Sequence, residues 1–330
     1  MTIRKVKYNL YIYIMKLSDF FRQYSDEESC KIKFKAIRDS QGVTCKKCGC
    51  KEHYWQQTLW QYECKSCKFR TTLRSGTVME GSKLPFRYWL TAMAFLTTTK
   101  KSISALEMQR ELGHKRYEPI WAMLHKLRLT MRHRDTKYEL KEYIELDEGF
   151  FETTDRREDK KDAENQQGRG SAKQIPILVA VESIPVDKTK DDGPKVVKHL
   201  KMTVMDSLTS KDIAYQVSNQ VSPETTVITD GYKGYSKLNK IVSEHKVVIV
   251  KDKIQVDKVF PWVHKAISNA KRLLLGIHHG IDSKYMQNYL DEYCYKFNRR
   301  YFGEKLFDRL LIASVSAPWY KMFMLTDCHY

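Results

Sequence analysis

Residues 143–152 read YIELDEGFFE. The alternation is that of a strand with one buried face, and it sets Asp147 mid-strand, pointing away from its neighbour Glu148. An aspartate inside apolar, β-rich sequence is unusual for a strand that only packs, so Asp147 is a candidate for chemistry. The stretches that follow supply its neighbours. IPILVAVESI (175–184) and VKHLKMTVMDSL (197–208) read as two further strands. TSKDIAYQVSNQV is a helix capped by Thr209 or Ser210. TTVITDGYKGYSKL (225–238) is a strand ending at Asp230-Gly231, and HKVVIVK (245–251) is the next. WVHKAISNAKRLLLGIHHGI and SKYMQNYLDEYCYKFNRRYF close the region as helices. The loops TTDRREDKKDAENQQGRGSAK and PVDKTKDDGPK between strands are too polar to be buried.

Three strands, a helix, two strands and then helices outline an RNase H-like fold, a mixed sheet flanked by helices. That architecture sets a carboxylate on the first strand beside another at the end of the fourth, the places held by Asp147 and Asp230. Neighbouring ionised carboxylates repel unless divalent cations compensate. Mg²⁺ takes oxygen ligands and keeps waters and substrate phosphates in its shell. Two such ions can activate a water or a 3′-OH and stabilise the leaving oxygen of phosphoryl transfer. Asp230 also fits the simpler role of an Asp-Gly turn residue.

The chain of 330 residues carries 58 Lys plus Arg against 40 Asp plus Glu, a formal charge of +18. Such an excess attracts polyanions, most often nucleic acid. No run of eighteen apolar residues suggests a membrane span. The N-terminal MTIRKVKYNLYIYIM starts basic and turns apolar, but it is short, tyrosine-rich and lacks a small-residue cleavage site. It reads as an extension, with Met15 as an alternative start. The cytoplasm is the expected compartment, at the nucleoid in a prokaryote or in the nucleus for a eukaryotic element.

Eight cysteines in such a chain are poor evidence for disulfides. Cys45 and Cys48, then Cys64 and Cys67, form two Cys-x-x-Cys knuckles with fifteen residues between them. That spacing suits four thiolates around structural zinc. The aromatic alternation between the knuckles suits a hairpin, and FRTTLRSGTVM reads as a third strand, giving a zinc ribbon whose metal replaces a core. His53 is surplus to the four cysteines, and Cys30, Cys50, Cys294 and Cys328 are scattered. After the ribbon, KLPFRYWLTAMAFLTT (83–98) is a helix. SISALEMQRELG, a turn, and IWAMLHKLRLTMRHR then give a helix-turn-helix-like arrangement. Lys115, Arg116, Lys126, Arg128, Arg132 and Arg134 would face phosphates there; the plainer reading is a packed helix pair with a solvated basic face.

Together CKKC…CKSC, LDEGFFE, VITDGYKGY and WVHKAISNAKRLLLGIHHGIDSKYMQNYLDEYCYKFNRR resemble the insertion-sequence transposases of the IS1595 group, which carry an ISXO2-like catalytic domain and are related to Merlin elements. The resemblance covers about residues 16–305. It implies DDE-type transposition: metal-dependent hydrolysis at element ends, then strand transfer into target DNA. It also implies a homodimer acting on paired terminal inverted repeats. By the same resemblance Asp147 and Asp230 are the first and second catalytic aspartates. The third position falls on Asn269, where most such enzymes have glutamate. An amide oxygen can coordinate Mg²⁺ or Mn²⁺ but brings no charge, so the second ion should bind more weakly. Lys271 resembles the lysine found beside that position, and with Arg272, Arg299 and Arg300 would meet DNA phosphates.

His264 lies five residues before Asn269 and off its helical face; a place near the metals is open to it. His278 and His279 suit a helix cap or DNA contacts, and Glu148 and Glu152 are bystanders. Asp291 and Glu292 are expected on a solvated helix face or in a salt bridge. The expected organisation is an α+β multidomain chain: extension and helix (1–40), zinc ribbon (41–80), helix-turn-helix-like DNA-binding region (81–136), RNase H-like catalytic domain (137–310) and tail (311–330). Two other functions share these features, an RNase H-like nuclease that cuts without joining and a domesticated, inactive DNA-binding protein. A transcription-factor-like ribbon protein leaves the C-terminal half unexplained.

Overall fold

The computed structural model describes residues 16–154, 173–186, 194–249 and 259–316. Expectations for the N-terminal extension, most of both charged loops, the end of strand 245–251 and Cys328 lie outside these residues. The chain forms two compact units. Among the described residues, one takes in 16–100, 108–127 and 299–316, and the other 101–107 with those between 128 and 298. Among the described residues no helix is long and apolar enough to cross a membrane.

The first unit opens with helices α1 (Leu17–Gln23) and α2 (Glu27–Gln41). Asp26 caps α2 by accepting the Ser29 N–H at 2.7 Å, and Gly42, at φ +78°, ends it. Strands β1 (His53–Gln56), β2 (Gln61–Cys64) and β3 (Arg70–Thr72) form an antiparallel sheet. Helix α3 (Phe86–Thr98) is apolar on nearly every side, and the Glu27 carboxylate caps it by accepting the N–H groups of Phe86 and Arg87, each at 2.9 Å. The expected helix pair forms as α4 (Ala105–Leu112) and α5 (Glu118–Asp135). The last described helix, α9 (Lys305–Ser316), packs on α2 and α3. The boundary drawn at 310 therefore falls inside a helix. Its stripe of Leu306, Phe307, Leu310 and Leu311 must be covered, and the first unit covers it.

In the second unit, β4 (Tyr143–Glu152), β5 (Gln174–Pro185) and β6 (Lys195–Val204) pair antiparallel, while β7 (Thr226–Thr229) and β8 (Glu244–Val247) continue the sheet in parallel. The order β6-β5-β4-β7-β8 starts from a central first strand and is consistent with the RNase H-like expectation. Residue alternation sorts two cores. Helix α6 (Ser210–Gln220) covers Ile144, Leu146, Leu178 and Ala180. Helices α7 (Val263–Ile277) and α8 (Ser283–Asn298) cover Phe151, Ile177, Val179 and Met202 on the opposite face. Strand β6 is an edge, and amide side chains of α8 answer its outward peptide groups. Gln287 accepts from Val204 N (2.8 Å) and donates to Met202 O (3.0 Å); Asn298 accepts from Leu200 N (2.8 Å) and donates to Leu200 O (3.0 Å).

The structure corrects one phosphate contact. Arg128 is 1% exposed, with Nε 2.9 Å from Glu292 Oε2 and its guanidinium 4.2 Å from the Tyr289 ring centroid. It stands four residues after Leu124, on the apolar stripe of α5, so it points inward and its charge must be paired there. Glu292 keeps the salt bridge foreseen for it but is buried, not solvated; Asp291 Oδ2 is likewise enclosed. Lys126 is half-buried, donates to Glu80 O at 3.3 Å, and is pushed down to about 8 by burial. The Glu292→Gln variant is expected to lose roughly 3–5 kcal/mol of stability, because it strands a buried cation. Arg128→Met with Glu292→Leu should recover most of that loss, as read from urea unfolding midpoints.

Candidate active site and metal centre

One face of β4 presents Glu145, Asp147, Gly149 and Phe151, and α7 runs along it. The start of α7 has no capping side chain of its own. Glu145 Oε2 takes that role from the sheet, accepting the N–H groups of Trp262 and Val263 at 2.9 Å each. Glu145 is fully buried, and burial raises its pKa; the two N–H bonds, the helix dipole and Lys195 Nζ at 3.9 Å favour its charged form. Two residues on, Asp147 Oδ2 lies 3.1 Å from His264 Nε2, while its Oδ1 accepts the Glu148 N–H at 2.8 Å. At Gly149 a Cβ would come within 3.2 Å of Ile267, so the helix rests on bare backbone there. At Phe151 the ring lies beneath Lys271 Nζ, 5.4 Å from its centroid.

The parallel register of β4 and β7 pairs Ile144 with Val227 and Glu145 with Ile228. β7 ends at Thr229, and Asp230 is the first residue beyond it, while Asp147 is the second residue beyond the last β4 position paired with β7. Ile228, two residues before Asp230, packs against the core under α7. Asp230 is exposed and its Oδ1 accepts the Tyr232 N–H at 2.9 Å, turning the chain out of the sheet. Tyr235 reports on both aspartates. Its hydroxyl donates to Glu148 Oε2 at 2.6 Å, and its pKa is driven far up by burial, then by Glu148, with Asp147 and Asp230 adding to the effect. Glu148 thus belongs to the opposite face, as the alternation predicts.

Asn269, Lys271 and Arg272 are exposed on α7. Lys115, Arg116 and Arg134 are exposed, with Arg116 3.9 Å from Glu118, while Arg132 is half-buried. Arg299 and Arg300 are half-buried, Arg300 over the Tyr301 ring at 4.4 Å. His278 stacks on Tyr289 (4.4 Å) and is pushed down to about 4, chiefly by burial; His279 is exposed. Glu145 is the residue the sequence reading passed over. Its signal is position: an acidic side chain on the same strand face as Asp147, in a register that buries its other members.

The four knuckle cysteines come together. Among the described residues they are the one group of three or more His, Cys, Asp or Glu side chains whose ligand atoms all lie within 4.8 Å. Sγ of Cys45 is 3.6 Å from that of Cys67, and Sγ of Cys48 is 3.5 Å from that of Cys64. A tetrahedron of sulfurs with ~2.3 Å metal bonds has edges of about 3.8 Å, so the cluster could hold a zinc ion. Each knuckle folds back on itself, Gly49 N–H to Cys45 O at 2.9 Å and Lys68 N–H to Cys64 O at 3.1 Å, with φ of +74° and +58° at the turning residues. Cys64 is drawn down to about 6, first by the N–H of Cys67, which favours the thiolate that a metal requires.

Residues 139–298 match the family of ISXO2-like transposase domains, a stretch that takes in β4 through α8. Among solved structures, the one titled "Crystal structure of the Mos1 Strand Transfer Complex" matches at 12% identity, over 66% of this chain and 74% of that one, with a TM-score of 0.25. So loose a likeness bears no weight for function. No curated protein matches the chain.

Elemental analysis of the purified chain should find zinc, and Cys64→Ser should lower its content and loosen the ribbon, seen as faster proteolysis within residues 45–72. Glu145→Ala should cost roughly 2–4 kcal/mol through two lost charge-assisted hydrogen bonds. Glu145→Gln, which keeps an acceptor, should cost less in the same thermal unfolding assay.

Proposed function

We propose that this chain, whose residues 139–298 form an ISXO2-like transposase domain, cuts DNA at the ends of a mobile element and transfers the cut strand into target DNA. One observation supports the reading: the parallel pairing of β4 with β7, in which Glu145 lies opposite Ile228, two residues before Asp147 and Asp230 on their respective segments. Two carboxylates so arranged repel in water and suit a bound divalent cation. Mg²⁺ or Mn²⁺ held there would supply the charge that activates a nucleophilic oxygen and stabilises the leaving one.

The chain's own groups perform the rest. Asp147 and Asp230 would hold the cation through their carboxylate oxygens. Lys271 and Arg272, exposed farther along α7, offer positive charge to the phosphates flanking the scissile bond. Lys115 and Arg116 in the first unit and Arg134 in the second are further exposed cations for DNA phosphates, and the +18 charge makes binding fall steeply with salt. Zinc in the cysteine cluster would stiffen the ribbon as part of the DNA grip, and a homodimer would hold two element ends together.

The test is incubation of the full chain with duplex carrying its flanking repeats and Mg²⁺ or Mn²⁺, beside Asp230→Asn. Nicking and strand joining are expected, both lowered by roughly 10²–10³-fold in the variant, the scale of losing one electrostatic catalyst. Cutting without joining would make the protein a nuclease. Tight binding with no cutting would make it a DNA-binding factor.

A further inference from the structure

Two side-chain contacts fix which face of α7 looks at β4, Ile267 on Gly149 and Lys271 over Phe151, while Glu145 anchors the start of the helix. At 100° per residue, His264, Ile267 and Lys271 share that face, while Asn269 stands about 140° around the helix from His264. The coordinates agree, with Asn269 exposed and His264 Nε2 3.1 Å from Asp147 Oδ2. The imidazole is steadied by the Phe260 ring, centroid to centroid 6.0 Å, yet its side chain is 41% exposed and open to the solvent side of the site. Adjacent ligands of an octahedral ion with ~2.1 Å bonds lie about 3 Å apart. The Nε2 and Oδ2 atoms already have that separation.

We propose that His264, not Asn269, is the third side chain of the catalytic site, binding the divalent cation through Nε2 beside Asp147. The proposal rests on reading Asp147 and Asp230 as the carboxylates of a phosphoryl-transfer site. It changes the identity of the ion. Mg²⁺ takes oxygen ligands almost exclusively, whereas imidazole suits first-row transition ions and Mn²⁺ accepts carboxylate and imidazole together. The adjacent Asp147 oxygen and His264 nitrogen make a mixed oxygen and nitrogen ligand pair, which favours Mn²⁺ over Mg²⁺.

The experiment is Mn²⁺ binding to the zinc-loaded full chain without DNA, at pH 8, followed by the electron paramagnetic resonance of unbound Mn²⁺, with Mg²⁺ as competitor. The unmodified chain should bind Mn²⁺ more tightly than Mg²⁺. His264→Ala should weaken Mn²⁺ binding by roughly 10–100-fold. His264→Glu should restore binding with the preference moved toward Mg²⁺, and Asn269→Ala should leave the Mn²⁺ affinity within about twofold. Far-ultraviolet circular dichroism confirms that each variant is folded. Loss of Mn²⁺ in Asn269→Ala but not His264→Ala would return the third place to Asn269. Unchanged binding in both variants, with loss in Asp147→Asn and Asp230→Asn, would leave the ion on the aspartates alone and overturn the proposal. Full Mn²⁺ binding in both aspartate variants would instead sink the carboxylate reading itself, and the role of His264 with it.

Discussion

The anchoring of α7 by Glu145 sets the geometry on which the second unit depends. A carboxylate buried in a sheet is tolerable only when its charge is answered, and the first N–H groups of a helix answer it while being satisfied in turn. Because that bond fixes the start of α7 over β4, everything later on the helix is placed by its 1.5 Å rise and 100° turn. His264 meets Asp147, Ile267 meets the bare backbone of Gly149, and Lys271 meets Phe151, in strict succession along strand and helix. The absence of a side chain at Gly149 lets the helix lie close enough for the pair one step earlier to touch.

Much of this was legible in the sequence for a simple reason: local period reveals which face a strand buries. YIELDEGFFE told apart Asp147 and Glu148 before any coordinates, and the structure sends Glu148 to Tyr235 on the far face. The cysteine knuckles were equally plain, since two residues between thiols is a local property. The role of Glu145 was not legible, because its partners are backbone groups 117 and 118 residues away, and a backbone N–H leaves no mark in composition. Arg128 failed for the opposite reason. Arginines in a basic helix normally face solvent, and only its place beside Leu124 and Leu127 on the stripe marked this one as buried. Helical phase likewise sets His264 and Asn269 apart on α7, since Asn269 is exposed while His264 lies 3.1 Å from Asp147.

Within the first unit the small ribbon is not left to its four cysteines. Tyr62 donates from its hydroxyl to Asp39 at 2.6 Å, Arg38 donates to Ser75 O at 2.6 Å and to Leu73 O, and Lys35 lies 4.5 Å from the centroid of the Trp55 ring. All three partners on the helical side come from one stretch of α2. A short three-stranded sheet buries too little to stand alone, and these bonds add a second support beside any bound metal.

The run YLDEYCYKFNRR, which begins in α8 and ends with Arg299 and Arg300 just past it, is the most distinctive of the chain, and several of its side chains are built into the fold. Asn298 and the nearby Gln287 hold the peptide groups of β6, Glu292 neutralises Arg128, and Tyr289 lies against the same guanidinium. These contacts give the run an architectural role. A chain of this fold without its chemistry would still need Arg128 neutralised by Glu292 and the edge of β6 covered. Kinship read from this helix therefore attests descent, while competence has to be judged at Asp147, Asp230 and the residues of α7 beside them.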